Sequence, residues 1–350
     1  MHHRRLPRYL CLAYTLLLLL VCLHPFRGWV GIGGVSPLAF LIEPWQKYIS
    51  LLDVYLNIAG YVPFGFMFAA AFAEGRKAGR VVLWGLIASA LLSFSIEFAQ
   101  NWLPTRVASN LDLATNALGG LTGAMLGVRW GHVFHEGGWL QRWRMRQILP
   151  GHIGELGLLL IGLWWLTQLE PSSLLFGAGD LRALFDLPAP MVFSARRYFI
   201  LEAAVVASSL LAVGLLLRRC MRAPSLAFLS GVLLAGLVLR TVANYAFVSP
   251  EAMFAWATPG ALRGLAIGSV LVVVAWYLPR WSQHSLASLT LLLATALVNL
   301  APENPYLGAS LHASYTGHLF NFYGLTRLVT LIWPFIALAW LSAQAVVRRW

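Results

Sequence analysis

Long apolar runs alternate with short polar breaks along the whole chain. About ten of these runs have roughly the 17–25 residues that a helix needs to cross the hydrocarbon layer of a membrane. A membrane β-barrel would instead need short strands of alternating polarity, and none is evident. The pattern predicts an all-α polytopic membrane protein with spans at about residues 9–25, 53–73, 80–101, 111–130, 153–169, 198–217, 225–247, 261–279, 285–301 and 327–347.

The composition supports this prediction. Of the 350 residues, 59% are hydrophobic and only 11% are charged, whereas a soluble domain carries roughly 25% charged residues. The net charge of +12 does not indicate nucleic-acid binding, because the basic residues form short clusters between apolar runs, as topology signals do. Cys11, Cys22 and Cys220 offer no disulfide framework or metal-binding spacing, and we interpret them as apolar or interfacial residues.

The distribution of charge also predicts the orientation. If the N-terminus is cytoplasmic, 16 of the 25 Lys and Arg residues fall on the cytoplasmic side, as the positive-inside rule requires. Ten of the 13 acidic residues then lie near the outer face. We therefore predict two cytoplasmic termini and an extracytoplasmic site for any chemistry. The N-terminal segment lacks a small-x-small cleavage site and is expected to be an uncleaved signal anchor.

One long break divides the chain. Residues 131–152 are basic and only weakly apolar, and we predict that they link a four-helix module, 1–130, to a six-helix module, 153–350. The linker pattern is that of an amphipathic helix on anionic lipid, with Trp139 and Trp143 at the interface.

Polar residues collect at the outer ends of the second, third and fourth predicted spans. Each end carries an acid and an amide three or four positions apart, and therefore on one helix face. An arginine lies in the turn between the third and fourth spans. A carboxylate at mid-bilayer costs about 2.5–3.5 kcal/mol, so such groups usually face the bundle interior or water. We therefore expect a shared polar pocket formed by Asp53, Asn57, Glu97, Gln100, Asn101, Arg106, Asp112 and Asn116.

The residue types suggest separate roles within this pocket. Glu97, Asp112 and Asp53 are the candidate acid–base residues, because a positioned carboxylate can accept or donate a proton. Arg106 is the candidate phosphate clamp, since its planar fork binds phosphate or carboxylate. The remaining substrate-binding candidates are Gln100, Asn57, Asn116 and Asn101.

Structural roles compete with these assignments. Ser109 and Asp112 match a capping box, so Asp112 either caps a helix or serves the site. Asn57 and Asn116 could join helices by hydrogen bonds, and Arg106 could be a loop charge or an anchor for a lipid head group.

Small residues repeat every four positions on the fourth span. This stripe of Gly119, Gly123 and Gly127 lets a neighbouring helix approach closely, and that structural role is sufficient to explain it.

The order and spacing of the polar residues resemble the VanZ-like family. The resemblance is most distinct over about residues 50–130 and extends less distinctly to the first helix near residue 9. It implies a small bacterial membrane module, in a family named for a protein linked to low-level teicoplanin resistance. A multi-pass protein of the bacterial inner membrane is therefore expected, although six further helices depart from the short family members. The matching motifs are Asn57 with Pro63-Phe64-Gly65, Glu97-x-x-Gln100, Pro104-x-Arg106 and Asp112-x-x-x-Asn116-x-x-Gly119.

The C-terminal half provides secondary candidates. Glu202 and Arg240 lie near predicted outer helix ends, and His312 and His318 occupy a long aromatic outer loop. That loop is either an interfacial aromatic belt or a lid over a sugar or lipid head group, with a histidine as acid–base residue.

These patterns leave three functions open. The first is binding or modification of a lipid-linked envelope component, such as a phospholipid, a glycan or a peptidoglycan precursor, at the extracytoplasmic site. The second is non-enzymatic transport of a lipid or solute through a cavity lined by the same residues. The third is a structural role beside envelope or exopolysaccharide assembly proteins. The expected partners are membrane lipids or such a precursor, without nucleic acid, metal or cofactor, and the sequence leaves open whether the protein is an enzyme.

Overall fold

The computed structural model describes residues 5–23, 26, 28–34, 36–45, 51–104, 106–131, 138–185, 187–302 and 319–347. Over these residues the protein is helical and has no strand, which confirms the prediction of an all-α polytopic membrane protein. The helices are α1 (Arg5–Leu23), α2 (Leu51–Phe72), α3 (Ala78–Gln100), α4 (Asn110–Trp130), α5 (Trp139–Gln147), α6 (His152–Thr167), α7 (Arg182–Phe185), α8 (Ala195–Cys220), α9 (Leu226–Phe247), α10 (Pro259–Trp276), α11 (Arg280–Leu300) and α12 (Leu319–Val347).

Within the described residues, seven helices are long and apolar enough to cross a membrane: α2, α3, α8, α9, α10, α11 and α12. The apolar parts of α1 and α6 are shorter, at Pro7–Leu23 and His152–Thr167. α4 is not among the seven, because polar residues such as Asp112 and Asn116 lower its hydropathy. The count of ten spans and the cytoplasmic placement of both termini stay predictions.

The chain forms two compact units, Met1–Arg144 and Met145–Trp350. The division falls inside α5, which occupies part of the predicted linker. The module boundaries at residues 130 and 153 stay predictions.

The first unit is built around the close approach of α2 and α4. A Cβ atom on Gly123 of α4 would lie 2.0 Å from the Val62 carbonyl oxygen of α2, and Gly119 and Gly127 face the same helix in the same way. The glycine stripe therefore packs against α2. This contact sets the distance between α2 and α4, on which the polar site depends.

The second unit surrounds α8, which is buried along nearly all of its length from Glu202 to Cys220. α10 runs parallel to it, because Gly260, Gly264 and Gly268 of α10 contact progressively later residues of α8. Such small residues let two membrane helices approach closely.

A non-helical segment, residues 168–181, lies mostly buried within this unit. The Gly179 N–H donates to the Thr330 carbonyl at 2.8 Å, and the Asn299 side chain donates to the Gly179 carbonyl at 2.7 Å. Asn299 also accepts the Leu181 N–H at 2.9 Å. These bonds satisfy backbone groups that could not remain exposed to lipid.

Candidate functional site

Glu97 lies in the last turn of α3, and its side chain is only 3% exposed. Its Oε2 atom accepts the backbone N–H of Ser109 at 2.9 Å. This hydrogen bond ties the end of α3 to the start of α4 across the turn that carries Arg106. Because the acceptor is charged when ionised, the bond is stronger than one between neutral groups.

Ser109 is the N-cap of α4, as the capping-box pattern predicts, and its hydroxyl accepts the Asp112 N–H at 3.3 Å. In the usual box the third helical residue would accept the N-cap N–H in return. Here Glu97 from the preceding helix accepts that N–H instead.

Asp112 contacts a different helix. Its Oδ1 atom accepts a hydrogen bond of 2.8 Å from the Asn57 side-chain amide on α2. The Glu97 carboxylate also lies within electrostatic range of Asp112. Glu97, Asp112 and Asn57 therefore bring α3, α4 and α2 together at one polar centre.

Arg106 completes this centre from the turn between α3 and α4. Its guanidinium interacts electrostatically with the Glu97 carboxylate and lies near the Cys22 side chain. Partial burial lowers the pKa of Arg106, and the Glu97 carboxylate opposes that shift. Arginine nevertheless remains protonated in proteins, so the turn carries a partly desolvated cation.

Asp53 is half-buried one helical turn before Asn57 on α2. This position places it on the same helix face as Asn57, but its share in the polar centre stays a prediction.

The other candidate amides connect neighbouring segments. The Gln100 amide donates to the Cys22 carbonyl at 2.9 Å, and the Asn101 amide donates to the Pro37 carbonyl at 3.1 Å and to two carbonyls of its own helix. Asn116 donates to the Ser93 hydroxyl at 3.0 Å. Each of these bonds fixes the position of an element around the polar centre, which is the interhelical role that the sequence left open for Asn116.

Arg240 lies in the second unit and is buried on α9. Its guanidinium donates to the backbone carbonyls of Glu170, Pro171 and Ser173 and to the Ser173 hydroxyl. It therefore fixes the buried segment that follows α6, and these contacts give it a structural role.

Glu202 lies buried on α8 against the N-terminus of α10. A Cβ on Gly260 would lie 2.3 Å from the Glu202 Oε2 atom, and the carboxyl shares a hydrogen bond with Thr258, the N-cap of α10. A carboxylate is favourable at a helix N-terminus. The remaining secondary candidates, His312 and His318, lie outside the described residues.

The sequence interpretation missed two contributors to the centre. The sequence pattern indicates only an apolar or interfacial role for Cys22, yet its side chain lies near Glu97, Arg106 and Asp112. Ser93, which binds Asn116, precedes Glu97 by one helical turn. Ser93 could have been identified from the sequence, because residues four apart share a helix face.

Groups of three or more His, Cys, Asp or Glu residues arranged to hold a metal ion are absent from the part of the chain that the structure describes. The chemistry of the centre is instead that of one cation, two carboxyl groups and several amides. Such a set can bind an anion at the arginine and hydroxyl groups at the carboxylates and amides.

Residues 10–131 match the family model described as VanZ/LLP1. The match contains every member of the polar centre and confirms the resemblance for the N-terminal module. The remaining residues, 132–350, lie outside it. No curated protein and no solved structure shows significant similarity to the chain.

Proposed function

We propose that the VanZ-like module of this multi-pass membrane protein binds the phosphate-bearing head group of a lipid-linked envelope component. The observation that carries the proposal is the placement of Arg106 in a turn fixed by the bond between Glu97 and Ser109. A cation that is already held in place loses little conformational entropy on binding, which favours affinity.

The turn has further anchors on either side of Arg106. The Arg106 N–H donates to the Leu103 carbonyl at 2.9 Å, and the Leu103 and Ala108 side chains are buried. Val107, by contrast, is 74% exposed. The turn therefore offers a guanidinium beside an exposed apolar side chain, a combination that suits a phosphate group attached to a lipid chain.

The carboxyl groups support binding better than catalysis. Glu97 accepts a backbone N–H and is almost fully buried, and Asp112 accepts the Asn57 amide. These contacts orient α3 and α4 and so position Arg106. In this proposal Glu97 and Asp112 are positioning residues, whereas the amide of Asn57 and the half-buried Asp53 line the approach to the head group.

The proposal places the site at the outer face of the bacterial inner membrane. This placement rests on the excess of Lys and Arg on the opposite side of the predicted spans. Peptidoglycan and exopolysaccharide precursors carry sugars on a polyprenyl diphosphate and are the envelope components of this chemistry.

The test measures lipid binding by the full chain in a non-ionic detergent. Native mass spectrometry would compare a polyprenyl diphosphate-linked sugar with phosphatidylcholine, using wild type and Arg106→Gln. Loss of a charge-assisted contact worth about 1.5–3 kcal/mol predicts at least about tenfold weaker binding of the diphosphate lipid.

Arg76→Gln is the matched control. Arg76 is exposed in another turn of the same unit and rests over Trp84, so its loss should leave binding unchanged. Equal binding by wild type and Arg106→Gln would exclude the proposed site and favour a packing role for the polar centre. A mass change in the recovered lipid that disappears in Glu97→Gln would instead indicate modification by this centre.

A further inference from the structure

A second group of basic residues lies at one end of the second unit. The Arg219 Nε atom donates to Gln344 Oε1 at 3.3 Å, and its Nη1 atom donates to the Arg280 carbonyl at 3.5 Å. The C-terminal ends of α8 and α12 therefore meet the short turn between α10 and α11. Arg219 is buried and fixes this turn.

Arg218 and Arg280 bring two positive charges to the same place. The Arg218 guanidinium lies over the Trp276 ring, 5.0 Å from its centroid, and its charge repels that of Arg280. The Arg218 Nε atom is buried and donates no hydrogen bond among the described residues. Over the same part of the chain, neither arginine forms an ion pair.

The N-terminus of α11 adds backbone donors to this arrangement. α11 has 21 residues, and its N-cap Pro279 provides no side-chain acceptor for the first-turn amides. The first N–H groups of a helix have no partner within the helix, and together with the helix dipole they favour a bound anion. Arg280 is the first residue of this helix, so its charge and the amides act at the same point.

Aromatic residues lie at the turn between α10 and α11. Tyr277 is 78% exposed and Trp281 is 74% exposed, and Trp276 lies beneath Arg218. Exposed Trp and Tyr at a helix end are typical of the membrane–water interface. Basic pockets between membrane helices near the membrane–water interface bind the head groups of anionic lipids.

We propose that Arg218, Arg280 and the first-turn amides of α11 bind the phosphate group of an anionic phospholipid. The inference concerns residues of the second unit and goes beyond the function proposed for the VanZ-like module. The bound phosphate reduces the repulsion between the two arginines and accepts hydrogen bonds from their guanidinium groups.

The experiment uses the full chain in a non-ionic detergent and counts retained lipids by native mass spectrometry. Phosphatidylglycerol and phosphatidylcholine are added at equal concentration. The wild type should retain phosphatidylglycerol preferentially, and the double variant Arg218→Gln, Arg280→Gln should lose this preference by about tenfold or more. The variant with both arginines replaced by Lys should keep most of it, because the charges remain.

Arg263→Gln is the matched control, because Arg263 also lies over an aromatic ring, that of Phe199, but at the other end of α10. An equal loss of the phosphatidylglycerol preference in this variant would show that the preference depends only on net charge, and this would overturn the proposal. Unchanged retention in the double Gln variant would also overturn it. Displacement of phosphatidylglycerol by millimolar inorganic phosphate would assign the site to free phosphate instead of lipid.

Two further measurements keep the test interpretable. If the double variant fails to fold, as judged by circular dichroism and gel filtration, Arg280→Gln alone replaces it, because the Arg280 side chain is exposed. The double variant Arg218→Gln, Arg280→Gln should bind the polyprenyl diphosphate-linked sugar as the wild type does, because both substitutions lie outside the VanZ-like module, so failure of this inference remains distinct from failure of the proposed function.

Discussion

Glu97 shows how one side chain changes the role of another. By accepting the Ser109 N–H, it fills the position that the capping box assigns to Asp112. The Asp112 carboxyl group can then contact Asn57 on α2. The local motif at the start of α4 is thus completed by a residue from a different helix.

This contact predicts a large difference between two neighbouring substitutions. Glu97→Ala leaves the Ser109 N–H without its acceptor, and an unsatisfied buried donor costs about 1–3 kcal/mol. The thermal unfolding midpoint of the detergent-solubilised chain should fall clearly. Ser95→Ala is the control, because Ser95 is exposed and, within the described part of the chain, its side chain bonds to a carbonyl of its own helix alone; a similar fall in both variants would contradict the prediction.

Local patterns predicted some of these residues better than others. The prediction that Ser109 is the N-cap of α4 follows from residues 109–112 alone, and it is confirmed. The partner of its N–H lies 12 residues earlier and depends on how α3 and α4 pack, which spacing alone does not specify. Arg240 is the opposite case, because its acceptors lie about 70 residues away and only the tertiary structure shows that it fixes a backbone segment.

The packing of α2 against α4 depends strongly on residue size. Gly123 leaves no space for a methyl group beside the Val62 carbonyl, and this carbonyl belongs to the backbone and cannot rotate away. The two helices would therefore have to move apart to accept any side chain.

Gly123→Ala should consequently destabilise the first unit by about 1–3 kcal/mol, the usual cost of overpacking. It should also weaken lipid binding, since α2 and α4 hold Asn57 and Asp112. Gly60→Ala on α2 is the matched control, because nothing lies within 4 Å of a Cβ built there. Thermal unfolding of both variants provides the measurement, and equal midpoints would show that the close approach is not needed.

The sequence predicted the long helices well and the irregular segment poorly. The predicted third and fourth spans, 80–101 and 111–130, correspond closely to α3 and α4, because apolar length and capping signals are local. Most of the segment 168–181 falls between the predicted spans 153–169 and 198–217, so the apolar pattern does not show that it is buried. Its burial depends on Asn299 and Thr330, far away in sequence.

At the scale of the whole molecule, the orientation in the membrane decides on which side of the membrane each proposed site lies. The charge distribution predicts that Arg76 and Val107, in turns at opposite ends of α3, lie on opposite sides. Both residues are exposed, so both positions can be labelled.

Single cysteines at these two positions test the orientation in a chain whose native cysteines, Cys11, Cys22 and Cys220, are replaced by alanine. Val107→Cys should react with a membrane-impermeant maleimide in intact cells, whereas Arg76→Cys should react only after permeabilisation. The reverse pattern would place the polar centre in the cytoplasm and remove the basis for an extracytoplasmic function.

The segment 168–181 can form its tertiary hydrogen bonds only late in synthesis. Its Gly179 carbonyl is bound by Asn299, which lies 120 residues later in the chain, and the Gly179 N–H is bound by a still later residue, Thr330. When this segment leaves the ribosome, its partners have not yet been made. It must wait in water or within the insertion machinery, so nascent chains stopped before α11 should be preferred substrates for membrane proteases.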